Sequence, residues 1–346
     1  MELSIDRPGI VVPVRRDPRG SSGPTPGQAR GPRWRAVSSG LYVPADTDSS
    51  VVEQRIVEAV AGCGETAAAT GWASLTWRGA RWFRGLGPDG RQRLDVPVAL
   101  GDRRTIRPRP GVVASDDWLF DDDVTVVDGL PITVAERSVS YEVRRAPSLV
   151  RAVQIIDMAA ADDLVDIASM TLHASRLAAR PGIKRLRTAL IWADENVWSP
   201  QEVPMRMLWK RAIAGARLLC NAPIFDNAGK HLITPDLFDP VAQVAGEYDG
   251  VVHLEDRVRR RDLDRDELYR QLGIEVVTMM SGDSRDQERF LARLHGAHRR
   301  AAERRGRAVD WTLERPSRWV DTSTVARRRA LDDVERAIWL RYREVS

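Results

Sequence analysis

The sequence predicts an α/β fold class, α+β over its whole length, and three observations carry that reading. Segments with a 3.6-residue apolar period alternate with short β-branched runs. Gly, Pro and Asp punctuate the joints between them, and no fixed-period repeat runs along the chain, which excludes solenoids and propellers. The 346 residues are enough for more than one hydrophobic core.

Residues 1–34 include RRDPRGSSGPTPGQARGPRWR, rich in Gly, Pro, Ser and Arg, and predict a flexible basic arm. Residues 35–135 predict a small α+β domain. Within it VSSGLYVPAD reads as a strand, a Gly turn and an edge strand ended by Pro44. VVEQRIVEAVAGCG carries Val51, Val52, Ile56, Val57 and Val60 at helical spacing before a Gly stop, and RLDVPVAL, GVVASDD and DDVTVVDGLPIT read as short strands. Trp72, Trp77 and Trp82 recur every five residues, a spacing that fits neither a helix nor a strand stripe and points to core aromatics. Residues 136–196 predict a helical connector, with Pro147 opening its second helix.

The third block, 197–281, predicts the order α-β-β-α-β. WSPQEVPMRMLWKRAIAGA starts a helix with Ser199 as N-cap, Pro200 in the first position and Glu202 in the third. KHLITPDLF and VAQVAGEYD follow as strands joined by a loop over about 239–243. VRRRDLDRDELYRQLG is a helix ended by Gly273, and IEVVTMM is a strand. Residues 282–346 predict a basic helical C-terminal extension.

GEYDGVVHLED (246–256) poses the chemical question. Strand alternation puts Glu247 and Asp249 on one face, and the short loop brings Asp236 within one or two positions of Glu247. Carboxylates gathered at one sheet end repel, and each raises its neighbours' pKa unless a cation neutralises them. Oxygen-only ligands at Asp236, Glu247 and Asp249 suit Mg²⁺ or Mn²⁺. Glu202 is placed to add a fourth carboxylate, and His253, just past the Gly250 turn, to assist proton transfer. Taken singly, each has a plainer role: a first-turn Glu serves the helix dipole, an Asp after Pro serves a turn.

Charge points to a partner. The net charge is only +4, but nearly all the cations are arginine, which pairs bidentately with phosphate. Arg257, Arg261 and Arg265 recur every four residues on one helix face, and Arg299 and Arg300 lie in the last basic helix. Interleaved Asp262, Asp264, Asp266 and Glu267 offer the competing reading of a solvated, salt-bridged face. No apolar run of about 18 residues occurs, so no membrane span is expected. A basic start without an apolar segment and cleavage site predicts no export. Two cysteines, Cys63 and Cys220, without metal-ligand spacing, predict a reducing cytoplasm.

SPQE…R (199–206), PDLF (235–238), GEYDGVVH (246–253) and RVRRRDLDRDELYRQLGIEVVTM (257–279) together resemble the PD-(D/E)XK restriction-endonuclease-like superfamily. Within it the chain is most similar to an actinobacterial domain family of unknown function related to very-short-patch-repair endonucleases. The resemblance covers about 85 residues. It implies a restriction-endonuclease-like core over 197–281 and a metal-dependent hydrolase of DNA phosphodiesters. Glu202, Asp236, Glu247 and Asp249 would be its acidic residues, with His253 beside them. Asp249 stands where the superfamily has its lysine, which leaves the water-activating role to Lys230 or His253. The segments GQARGPRWRAVSSGLYVPAD and VVDGLPITVAERSV are similar to the N-terminal half of abortive-infection antitoxin-like proteins.

The implied partner is DNA, as a duplex; a homodimer and a protein partner for the N-terminal half are compatible with it. Two other readings stay open from the residues. One is a non-catalytic DNA-binding or antitoxin-like regulator on a degenerate nuclease fold. The other is an interaction module whose acidic cluster is paired internally by Arg257 or Arg261.

Overall fold

The computed structural model describes residues 3–87, 90–101, 105–249, 256–284, 286–304, 306 and 308–341, without the side chains of 256–263 and 284. The chain is a mixed α/β protein that divides into two compact units, 1–146 with 169–186, and 147–168 with 187–346.

The first unit opens with β1 (Val14–Arg15), β2 (Trp34–Ser38) and β3 (Leu41–Pro44), then α1 (Val52–Ala61). β1 pairs antiparallel with β3, so the small sheet has the order β1-β3-β2 and β3 is central. Residues 3–34 are therefore built into the unit. The Asp17 carboxylate accepts the backbone N–H groups of Arg19, Ser21 and Ser22, and Gln54 is hydrogen-bonded both to the N–H and to the carbonyl of Val11. Composition missed this because the turns are held by side chain to backbone bonds, which leave no apolar period.

Next come β4 (Ala68–Ala69), α2 (Gly71–Trp77), β5 (Val96–Ala99), β6 (Val112–Ser115), β7 (Val124–Val127), β8 (Leu130–Thr133) and α3 (Ala135–Arg145). The five strands form one mixed sheet, β6-β5-β4-β8-β7. Trp72 and Trp77 are buried, with their indole N–H groups bonded to the carbonyls of Asp95 and Val127. They are core residues, as their spacing suggested.

Three more helices follow: α4 (Leu149–Ala161), α5 (Ile167–Arg176) and α6 (Ile183–Trp192). The expected connector over 136–196 is thus shared between the units: α3 belongs to the first and α4 to the second, while α5 and α6 each pass from one to the other.

The second unit continues with α7 (Glu202–Ala212), β9 (Leu219–Cys220), β10 (Ile224–Phe225), β11 (His231–Ile233), β12 (Leu237–Asp239), β13 (Val244–Asp249), α8 (Asp256–Gln271), β14 (Glu275–Met280), α9 (Gln287–Glu303), α10 (Val325–Arg329) and α11 (Asp333–Trp339). Its sheet is β14-β13-β12-β9. β13 is antiparallel to β12 and parallel to β14, and β10-β11 is a separate hairpin. The order is therefore α-β-β-β-α-β with an inserted hairpin, one sheet strand more than the α-β-β-α-β expectation. β9 and β10 have two residues each, too short for a period to register.

Gly246 sets how α7 meets this sheet. A Cβ there would lie 2.7 Å from the Trp209 ring, so α7 packs directly on the strand backbone. By alternation Ala245 and Glu247 face the other side, where Phe238, Ala245, Tyr269, Ile274 and Trp311 form a buried cluster. The described residues of 282–346, expected as an extension, are integral to the unit. Trp311 lies in that cluster, Phe225 and Thr312 exchange backbone hydrogen bonds, and Arg328 is fully buried against Asp163 and the Ala160 carbonyl.

α7 is anchored through Arg206, buried with its guanidinium 2.6 Å from the buried Asp157 of α4 and 2.8 Å from the Trp192 carbonyl. Loss of hydration pushes Asp157 up to about 6 despite that partner. Removing one member of a buried pair strands the other charge. Arg206→Ala is therefore expected to cost about 3–5 kcal/mol in urea unfolding, and Asp157→Asn combined with Arg206→Met less than the sum of the two single changes.

Candidate active site

The β12–β13 ladder pairs Leu237 with Gly246 and Phe238 with Ala245. One residue further in that register Asp236 stands opposite Glu247, on the same face of the sheet. The Asp236 carboxylate accepts the Tyr248 N–H at 2.7 Å, which holds it at the strand end.

Glu202 reaches the same place from the start of α7. The expected cap geometry is shifted: the N-cap is Gln201, with no side-chain cap bond, and Glu202 is the first helical residue. Its carboxylate instead accepts the backbone N–H of Ser199 at 2.8 Å and of Trp198 at 3.3 Å, and the Asn221 side-chain N–H at 2.7 Å. Ser199 is thus a donor to Glu202 rather than the cap.

One cation faces this cluster among the described side chains. Arg265 of α8 donates to Glu247 at 2.6 Å and to the Thr234 carbonyl at 2.9 Å, and the Tyr269 hydroxyl donates to the same Glu247 oxygen. Lost hydration and then the Asp236 charge push Glu247 up to about 7, against the pull of Arg265 and Tyr269. Glu202 is raised by the same two causes in the same order. Asp236 is raised by burial, partly offset by the Tyr248 N–H and Arg265. Asp236 is the shared neighbour: its charge is felt by both glutamates. Three carboxylates against one guanidinium leave negative charge unbalanced when all are ionised.

The remaining expected residues are placed as follows. Asp249 is exposed at the end of β13, on the Glu247 face by alternation. His253 lies outside the described residues, as do the side chains of Arg257 and Arg261. Arg265, expected to contact phosphate, is turned to Glu247. Arg300 is ion-paired with Glu275 at 2.8 Å, while Arg299 is exposed. Lys230 is exposed in the turn between β10 and β11. Among the described residues no three His, Cys, Asp or Glu side chains converge closely enough to form a metal centre by themselves. No described helix is long and apolar enough to cross a membrane.

Sequence reasoning missed Asn221, Tyr269 and Trp198. Tyr269 follows Arg265 by four residues and so shares its helix face, a signal the interleaved charges obscured. Asn221 and Trp198 carried none, since they reach Glu202 from loops.

A cleft of about 680 Å³ adjoins the cluster. Asn221 and Arg265, each bonded to one of the carboxylates, stand in its wall together with Trp198, His231 and Trp319. No protein-family model, curated protein or solved structure matches the chain.

The raised carboxylates bind protons more tightly in the folded chain than in the unfolded one. Their contribution to stability is therefore complete below the ordinary glutamate value of 4.5 and is lost as pH rises towards about 7. Chelator-treated protein is expected to lose urea resistance between pH 5 and 8. Glu247→Gln, which cannot ionise, is expected to flatten that slope; an unchanged slope would show that Glu247 does not titrate there.

Proposed function

We propose that the second unit is a metal-dependent nuclease domain that hydrolyses DNA phosphodiester bonds, with Asp236 and Glu247 as its central acids. The observation that carries this reading is their placement opposite one another on one sheet face, with, among the described side chains, the Arg265 guanidinium set against three carboxylates. The α-β-β-β-α-β order supports it, with the acids at the β12–β13 end and an Arg-rich helix following.

The donor set fits a hard divalent ion. Mg²⁺ is commonly held by one or two carboxylates, with water and substrate phosphate completing its shell, so Asp236 and Glu247 suffice without a third protein ligand. When bound, Mg²⁺ or Mn²⁺ supplies charge that polarises a phosphate and favours ionised water. Asp236 and Glu247 would hold the ion, and the exposed Asp249 can meet it through water. Glu202 is a positioning residue: its oxygens hold the 198–199 turn and Asn221, and the Asp236 charge raises its proton affinity. Arg265 competes for Glu247 and neutralises it while no cation is bound. In the same proposal His253 assists proton transfer, and Arg257, Arg261, Arg265, Arg299 and Arg300 line the path of the DNA backbone.

The Arg265–Glu247–Tyr269 contact also favours a second reading, an internally paired acidic cluster on a non-catalytic nucleic-acid-binding or interaction module. Among the described side chains the pairing arginine is Arg265; the side chains of Arg257 and Arg261, expected from sequence, lie outside the described residues. The two readings differ in sign. An acidic site short of positive charge becomes more stable when one carboxylate is neutralised, whereas a satisfied pair becomes less stable.

Incubation of supercoiled plasmid with Mg²⁺ or Mn²⁺ is expected to give nicked and linear products, with Glu247→Gln and Asp236→Asn each slower by about 100-fold or more. Equal cutting by the wild type and both variants ends the assignment. Cation binding must also displace protons from the raised carboxylates. Mn²⁺ affinity is therefore expected to rise from pH 6 to pH 8, with calorimetric heats that depend on the buffer's ionisation enthalpy.

A further inference from the structure

The cleft beside the carboxylates is built for a flat ring. Its volume of about 680 Å³ lies within the roughly 300–1,000 Å³ of small-ligand sites. Trp319 and His231 are stacked, with centroids 5.1 Å apart and planes at 26°. Phe225 meets Trp319 edge-on at 4.9 Å and Trp339 meets it at 5.3 Å, so the indole is fixed from two sides. Trp198 lines the same cleft, and Leu268 adds an apolar surface from α8. A rigid aromatic lining of this kind offers stacking area at little cost in side-chain entropy.

Its polar groups are equally specific. Asn221 presents an amide whose N–H groups are committed to Glu202 and the Asn196 carbonyl, and Arg265 a guanidinium whose other contacts are Glu247, the Thr234 carbonyl and the Tyr269 hydroxyl. A ligand in the cleft therefore sits one side chain away from the acidic cluster. A ring held among Trp198, His231 and Trp319 and carrying an anionic group towards Arg265 has the chemistry of a nucleotide.

We infer that this cleft receives a single unpaired nucleobase, with its phosphate directed towards Arg265. The inference rests on the nuclease reading and narrows its substrate. A base inside a stacked duplex cannot offer its faces to a cleft, so the nucleotide entering must be single-stranded or extruded.

The test uses the full chain in chelator, so that binding is read without cutting. The probe is the 5′-monophosphate of 2-aminopurine deoxyriboside, followed by its fluorescence, with deoxyribose 5-phosphate as the competitor lacking a base. Saturable quenching is expected, with deoxyribose 5-phosphate competing at least tenfold more weakly than dAMP. Trp319→Leu is expected to weaken probe binding roughly tenfold or more. Because Trp319 also packs on three rings, Ser323→Phe is the second variant: it fills the cleft from a partly exposed position that lines it. Its thermal midpoint is expected to match the parent while the probe no longer binds.

Equal competition by deoxyribose 5-phosphate, or unchanged probe binding by a folded Ser323→Phe, overturns the inference. Probe binding with no plasmid cutting in any divalent ion would leave the cleft intact and remove the nuclease. Cutting that is insensitive to Ser323→Phe, with no probe binding, would do the reverse.

Discussion

The register of β12 against β13 is the constraint on which the second unit depends. With Leu237 opposite Gly246, two things follow at once. Asp236 faces Glu247, and the missing side chain at 246 lets Trp209 of α7 settle on the strand. A slip of one residue would turn Glu247 towards α7 and Gly246 towards the cluster around Phe238. The same small residue that admits the helix thus keeps the acids on the opposite face. Packing and chemistry are set by one ladder.

The energetic consequence is an acidic group of side chains that is uncomfortable by construction. Isolated carboxylates removed from water are costly, and Arg265 offsets only part of the cost. The raised proton affinities of Glu202, Asp236 and Glu247 express that imbalance. By contrast, the buried Asp157 is matched by Arg206, and the half-buried Asp163 by Arg328 and Arg336, with further backbone bonds from Arg206 and Arg328. Both kinds of site occur in the same unit. The matched pairs fasten α7 and α10 to α4, and the unmatched group lies beside an aromatic cleft. Perturbed carboxylates next to a concave site are where chemistry is sought first.

Part of the chain's arginine is taken up by ion pairs and hydrogen bonds within the fold. Arg206 and Arg328 are buried, Arg265 is held by Glu247, and Arg300 and Arg304 converge on Glu275. A basic composition therefore overstates the positive surface this protein presents. The guanidinium is planar and weakly hydrated, so it can be packed against carbonyls and indoles where an ammonium would be too costly.

The long periodic elements were legible in the sequence: α1, α8, β14 and α9 fall close to where spacing and Gly stops set them, because each buries one face and repeats it for several turns or residues. The pairing of Asp236 with Glu247 was legible too, since strand alternation and a short loop leave few registers. Two-residue strands such as β4, β9 and β10 were not, for they have no period and exist only because a neighbouring strand supplies their hydrogen bonds. Nor was the contact of Arg265 with Glu247, or the cleft assembled from residues near 198, 221, 231, 265 and 319. Those depend on which distant segments meet, and local sequence holds no record of distance. Local spacing determined the elements and the acids; only tertiary packing decided which cation faces them and what ring can stand beside them.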